Sequence, residues 1–184
     1  MTLFAVTLTA AGLLLLLGAG LLWSGPAVEH AAKGFPRSMG AAVVFFGAGT
    51  LWFLYDLSQL TSADFGDYKQ WLIFVFAAAG LGAFFVAKDF LAVRGVAVLA
   101  LLAARVALDA SMAYAPPPDS RVWLNAFVYV AIVLGIYLGA APYHARDWLA
   151  WLFAKRTRAR ALGAVCAVYG AWLAVVAAGF RGKY

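Results

Sequence analysis

The chain has 184 residues, of which 66% are hydrophobic and 12% are charged, and its formal net charge is +6. A soluble domain of this length needs more polar surface to face water, so the composition excludes a soluble fold and predicts an integral membrane protein. A basic excess in such a chain is typical of loops that meet anionic lipid headgroups, and we do not expect nucleic-acid binding.

The first apolar run, residues 3–23, is preceded by no Lys or Arg and is too long for the core of a signal peptide. We therefore predict a retained transmembrane helix. The stretch after it is predicted to be a loop, and the second span begins after Pro36 because proline is poorly tolerated inside a helix. The predicted spans are 3–23, 39–60, 71–87, 91–114, 122–141 and 161–180. They form an all-α bundle of six transmembrane helices in a single domain, residues 1–184.

A short amphipathic segment, residues 146–154, separates the fifth and sixth spans, and four basic residues follow it. These are Lys155, Arg156, Arg158 and Arg160. A helix in the headgroup region, with its basic end towards anionic lipid, suits this order of residues. The alternative is an extension of a neighbouring span whose long basic side chains reach the membrane surface.

The distribution of basic residues between the two membrane faces predicts the orientation of the chain. With Arg105 left out, one face carries Lys33, Arg37, Lys88, Arg94, Arg146, Lys155, Arg156, Arg158 and Arg160. The other face carries Lys69, Arg121, Arg181 and Lys183. The more basic face is expected to be cytoplasmic. We therefore predict a bacterial-type cytoplasmic membrane protein with both termini outside.

The fourth span carries Arg105 near the middle of its apolar run and Asp109 one helical turn later. At about 1.5 Å per residue, Arg105 lies roughly 15 Å from each edge of the hydrocarbon core, where an unpaired charge is costly. Asp56, near the end of the second span, is predicted to lie at a similar depth in the outer half. Further candidates for hydrogen bonds to this polar cluster are Ser58, Asn125 and Tyr129.

A protonatable carboxylate beside an arginine suits proton-coupled or cation-binding chemistry. The leading hypothesis is therefore binding or translocation of a small solute or ion through this cluster. A buried ion-pair network that only fixes helix register is the structural alternative. Under this alternative, the protein is a non-catalytic membrane subunit or scaffold. A membrane-embedded enzyme acting on a lipid or quinone is the third hypothesis.

No cofactor or metal is predicted. The two histidines, His30 and His144, lie outside the spans and show no spacing typical of haem ligands. Cys166 is the only cysteine and is interpreted as a small apolar residue. Small-residue surfaces such as Gly135 and Gly139 favour close helix packing. That packing is either within the chain or with a second copy or a membrane partner subunit.

Overall fold

The computed structural model describes residues 2–61, 65–87, 89–113 and 118–180, with the backbone alone described for 118–120. Within these ranges the regular elements are helices, and no β-strand is present. The α-helices are α1 (Leu3–Trp23), α2 (Pro26–Gly34), α3 (Met39–Ser58), α4 (Lys69–Val86), α5 (Leu91–Ala113), α6 (Pro118–Ala140), α7 (Tyr143–Phe153) and α8 (Arg156–Phe180). Short 3₁₀ turns precede α3 and α4.

Six helices in the described ranges are long and apolar enough to cross a membrane: α1, α3, α4, α5, α6 and α8. The six candidate spans are 20 to 25 residues long, which matches a hydrocarbon core about 30 Å thick. The predictions of an all-α chain and of six long apolar helices are therefore confirmed. This number of candidate spans indicates a multi-pass membrane protein.

The helix ends differ from the predicted span ends where polar residues continue the helical backbone. α8 begins at Arg156 instead of residue 161, and α6 begins at Pro118 instead of residue 122. At the other extreme, α3 ends at Ser58, before the predicted end at residue 60. An apolar run marks the part of a helix that meets hydrocarbon, whereas backbone hydrogen bonding decides where the helix itself ends.

The prediction of a loop between the first two spans was wrong, because this stretch contains α2. Pro26 occupies the first helical position, where its fixed φ is compatible with a helix and its missing N–H is not needed. Glu29 lies in the first turn, and its Oε1 accepts a hydrogen bond from Lys33 Nζ at 2.7 Å. The helix dipole favours both charges, since Glu29 is negative near the N-terminus of α2 and Lys33 is positive near its C-terminus.

A short turn separates α4 from α5, so the two helices are distinct spans. α4 ends at Val86 and α5 begins at Leu91, and Lys88 lies outside the described residues. Phe90 has a φ of 62°, in the left-handed region that is rare for a bulky residue. Its carbonyl accepts the N–H of Val93 at 3.0 Å, which begins the first turn of α5.

The chain divides into two compact units. The first unit contains Met1–Lys33, Ala103–Val133 and Arg146–Tyr184, and the second contains Gly34–Leu102 and Leu134–Ala145. α5 and α6 each contribute residues to both units. The prediction of one domain stays a prediction.

In the first unit, α1 and α8 are antiparallel and approach closely at small residues. Gly18 lies against the backbone of Gly163 and Ala167, and a Cβ built at Gly18 would be 2.9 Å from the Gly163 carbonyl oxygen. One heptad along α8, Gly170 lies against Ala11 of α1. Small residues let the two backbones approach, which is the usual basis of helix association in membranes.

In the second unit, glycines also set the spacing of α3, α4 and α5. Gly80 of α4 faces Thr50, Gly49 of α3 faces Val98, and Gly95 of α5 lies against the α3 backbone near Phe46. Edge-to-face phenylalanine pairs add contacts between α3 and α4, including Phe53–Phe76 with ring centroids 5.0 Å apart.

Candidate functional site

Arg105 and Asp109 form the ion pair that their four-residue spacing on α5 predicts. Arg105 Nε lies 3.9 Å from Asp109 Oδ2, which is near the long limit for an ion pair. The side chains are 66% and 71% exposed, so most of their surface is left open by the protein. α5 runs from Leu91 to Ala113, so Arg105 lies close to its middle and Asp109 nearer its C-terminal end.

Small residues on α5 explain why the charged pair is exposed. Ala104, Ala107 and Ser111 follow one another at helical spacing and are buried. Ala104 and Ala107 belong to a core cluster that also contains Leu124 of α6 and Leu173 of α8. The face of α5 that enters the core is thus occupied by small side chains, and the charged side chains lie on another face.

Asn125 and Tyr129 lie one turn apart on α6, in the same unit as the charged pair. Asn125 Oδ1 is buried and has no hydrogen-bond partner. Tyr129 is exposed. An unsatisfied buried amide oxygen is rare in proteins.

Asp56 and Ser58 lie at the C-terminal end of α3, in the second unit. Asp56 is half-buried. The Ser58 hydroxyl donates to the Tyr55 carbonyl at 2.6 Å and accepts from Gln59 Nε2 at 3.0 Å. These contacts are local to the end of α3. The predicted convergence of Asp56 with Arg105 stays a prediction.

The basic cluster after α7 contains one residue that differs from the others. Arg158 lies over the indole of Trp151, with the guanidinium carbon 4.4 Å from the ring centroid, and is half-buried. Its Nη1 donates to the Trp151 carbonyl oxygen at 3.0 Å. Lys155, Arg156 and Arg160 are exposed. The sequence analysis treated these four residues as equivalent and missed this contact.

The two histidines belong to different units, His30 to the first and His144 to the second. His30 is exposed on α2, and His144 stacks on Tyr137 with ring centroids 5.1 Å apart. Over the part of the chain that the structure describes, no group of three or more His, Cys, Asp or Glu side chains is arranged to hold a metal ion. Cys166 is unpaired and half-buried in α8.

A half-open cavity of about 430 Å³, which no sequence pattern indicates, lies among α3, α4 and α5 in the second unit. Its lining residues are almost all apolar, and none of them is a predicted site residue. Apolar residues make up most of every membrane span. No local sequence pattern therefore distinguishes the residues around a cavity from those that face lipid or pack against another helix.

The fold and the charged pair define a class of protein: an all-helical, multi-pass membrane protein with an exposed arginine–aspartate pair on one long helix. The chain matches no protein-family model, no curated protein and no solved structure. Its function therefore has to be argued from its own side chains.

Proposed function

We propose that the protein binds or translocates a small solute or ion at Arg105 and Asp109. The supporting observation is that both side chains of this pair are mostly exposed on an apolar helix, with Arg105 close to its middle and Asp109 one turn nearer its C-terminal end. Charges at this depth are costly against hydrocarbon, so the open surface of the pair faces water, a solute or another protein. A water-filled approach to the pair meets this requirement and gives an ion access to it.

The roles of the two residues follow from their chemistry. Arginine stays protonated in proteins, so Arg105 is the fixed positive charge. Asp109 is the group that gains and loses a proton or contacts a cation. Ala104 and Ala107 share a core with Leu124 and Val128, so Asn125 is at a similar level of the first unit. Its Oδ1 is buried without a partner, so it is an acceptor for a solute or ion only when one enters between the helices.

The membrane and the orientation are part of the same proposal. We place the protein in a bacterial cytoplasmic membrane with both termini outside, on the strength of the basic residues on the opposite face. The exposed side chains of Lys155, Arg156 and Arg160 then meet anionic headgroups at the cytoplasmic surface. Asp109 and Asn125 lie in the outer half of their spans in this orientation.

The test is ion flux through the purified full-length protein reconstituted in liposomes that contain a pH-sensitive dye. A potassium diffusion potential drives proton entry, and we expect faster acidification than in protein-free liposomes. Asp109→Asn removes the titratable carboxyl and is expected to reduce the rate to the protein-free level. Asp147→Asn is the matched control, because Asp147 is an exposed carboxylate paired with Arg146 on α7.

The same liposomes are then tested with a sodium gradient and a sodium-sensitive dye. Wild-type rates equal to protein-free rates for both ions contradict translocation of either. An Asp109→Asn protein that transports like wild type contradicts the role of Asp109.

The alternative is a non-catalytic membrane subunit whose charged pair is covered by a partner. One observation favours it: Gly47 of α3 and Gly82 of α4 have no neighbouring atom within 4 Å of a built Cβ. These open small-residue positions suit close approach of another helix. A stoichiometric partner or second copy, retained through purification and lost in Gly47→Leu and Gly82→Leu, supports this alternative.

A further inference from the structure

The cavity in the second unit is a half-open groove with an apolar wall contributed by three helices, and Phe76 and Ala79 at its edge are exposed. It measures about 430 Å³, within the range of small-molecule pockets, and three phenylalanine rings line it: Phe46, Phe53 and Phe76. Thr50 is the one lining residue with a hydroxyl group, and the rest are Ala, Gly, Val or Leu. No charged side chain is part of the lining.

The lining residues lie near the middle of their helices. Thr50 and Gly80 are in the central turns of α3 and α4, and Leu102 is the middle residue of α5. All three helices are long and apolar enough to span a membrane. The cavity is therefore about 15 Å from either edge of the hydrocarbon core, at the level where the ends of lipid acyl chains lie.

Close contacts between the helices keep the cavity from closing. A Cβ built at Gly80 would be 2.6 Å from Thr50 Cγ2, and one built at Gly49 would be 3.1 Å from Val98 Cγ1. α3 already touches both α4 and α5 at the level of the cavity. The helices cannot move together to remove the space without a clash at these glycines.

The chemistry of the lining residues indicates which kind of molecule binds in the cavity. A bound water molecule usually makes about three hydrogen bonds, and a wall with one hydroxyl group does not supply them. An empty space of this size leaves the lining atoms without dispersion partners. A hydrocarbon tail fills the space and needs no polar partner.

We propose that this cavity binds the acyl chain of a membrane phospholipid. A bilayer supplies such chains at this depth, and the absence of charged lining residues suits a chain without a polar group. Neither residue of the charged pair lines the cavity, so the inference does not depend on the proposed function.

The proposal is tested by photocrosslinking. Full-length protein is reconstituted in phosphatidylcholine vesicles that contain a trace of phosphatidylcholine with a diazirine near the end of one acyl chain. After illumination, adducts are located by mass spectrometry of peptides. We compare Ala79→Phe, which places a ring at the cavity wall, with Ala78→Phe on the same helix. Both alanines are exposed, but only Ala79 lines the cavity, so Ala78→Phe is a control of matched exposure.

Adducts on Phe46 and Leu102 are expected in wild type and in Ala78→Phe, and are expected to fall several-fold in Ala79→Phe. If Ala79→Phe does not fold, as judged by gel filtration, Leu102→Trp replaces it and adducts on Phe46 are counted. Equal labelling of Phe46 in wild type and the filled variant overturns the proposal.

A second measurement identifies the natural occupant. Protein purified from its own membranes is expected to retain phospholipid at a stoichiometry that falls in the filled variant but not in Ala78→Phe. Retention of an isoprenoid lipid in place of phospholipid, lost in the same variant, overturns the assignment to an acyl chain.

Discussion

The guanidinium of Arg158, near the start of α8, lies 4.4 Å from the ring centre of Trp151 in α7 and donates to the Trp151 carbonyl oxygen at 3.0 Å. This carbonyl is among the last of α7, where carbonyls lack a partner in their own helix. A cation at this end is also favoured by the helix dipole. One side chain therefore stabilises the end of α7 through three physical effects.

Arg158→Ala is expected to destabilise the end of α7. The lost hydrogen bond is worth about 1.5–3 kcal/mol, because its donor is charged. Loss of the contact with the indole adds roughly 0.5–1 kcal/mol. Hydrogen–deuterium exchange of the last amides of α7 measures this change, with the exposed Arg156→Ala as control. Equal exchange in the two variants contradicts a capping role for Arg158.

Gly163→Ala is expected to destabilise the contact between α1 and α8. The added Cβ would be 2.9 Å from both Leu21 Cβ and the Leu22 nitrogen, so a helix has to move, at a cost of about 1–3 kcal/mol. Gly12→Ala on α1 meets no atom within 4 Å, and removing a mid-helix glycine there gains roughly 0.5–1 kcal/mol. The free energy of unfolding, measured in detergent, is expected to fall in Gly163→Ala and to rise in Gly12→Ala.

The double variant Arg105→Leu with Asp109→Leu tests whether the charged pair is needed for proton flux or only for the stability of the fold. An exposed ion pair is worth about 0–1 kcal/mol, so loss of the contact between Arg105 and Asp109 is expected to lower the free energy of unfolding by about that amount. Its proton flux in liposomes is expected to fall to the protein-free rate. A variant that no longer folds identifies the pair as a structural lock instead.

Asn125→Leu is expected to increase stability and to reduce proton flux. The amide oxygen is buried without a partner, and an unsatisfied buried group of this kind costs about 1–3 kcal/mol. Leucine removes that cost but also removes an acceptor for an ion or water molecule that enters between the helices beside the charged pair. Tyr129→Phe, at an exposed position on the same helix, is the control for stability. Unchanged flux in Asn125→Leu excludes the residue from the site.

The orientation is checked with single cysteines in a Cys166→Ser background. Gln70→Cys, in the first turn of α4, is expected to react with a membrane-impermeant maleimide added to intact spheroplasts. Lys155→Cys is expected to react only after the membrane is opened. Both positions are exposed, so access from the aqueous phase decides the result. The opposite pattern places both termini in the cytoplasm.

Several features of this protein were predictable because they are local. Apolar runs of about 20 residues predict the spans, and the break between α4 and α5 is marked by Lys88 and Asp89. The pairing of Arg105 with Asp109 follows from a four-residue spacing on one helix. The sequence does not predict α2, because the helix is short, contains charged residues and lies between two prolines, Pro26 and Pro36.

The sequence alone determined the class of structure, the order of the spans and the charged pair within α5. Only the tertiary structure decided which faces of the helices meet, from the approach of Gly18 to Gly163 to the cavity around Thr50. The reason is that lipid tails are as apolar as a helix interface, so a membrane helix needs no polar face to mark its exposed side. Packing there depends on shape, and shape is complete only when helices distant in the sequence come together.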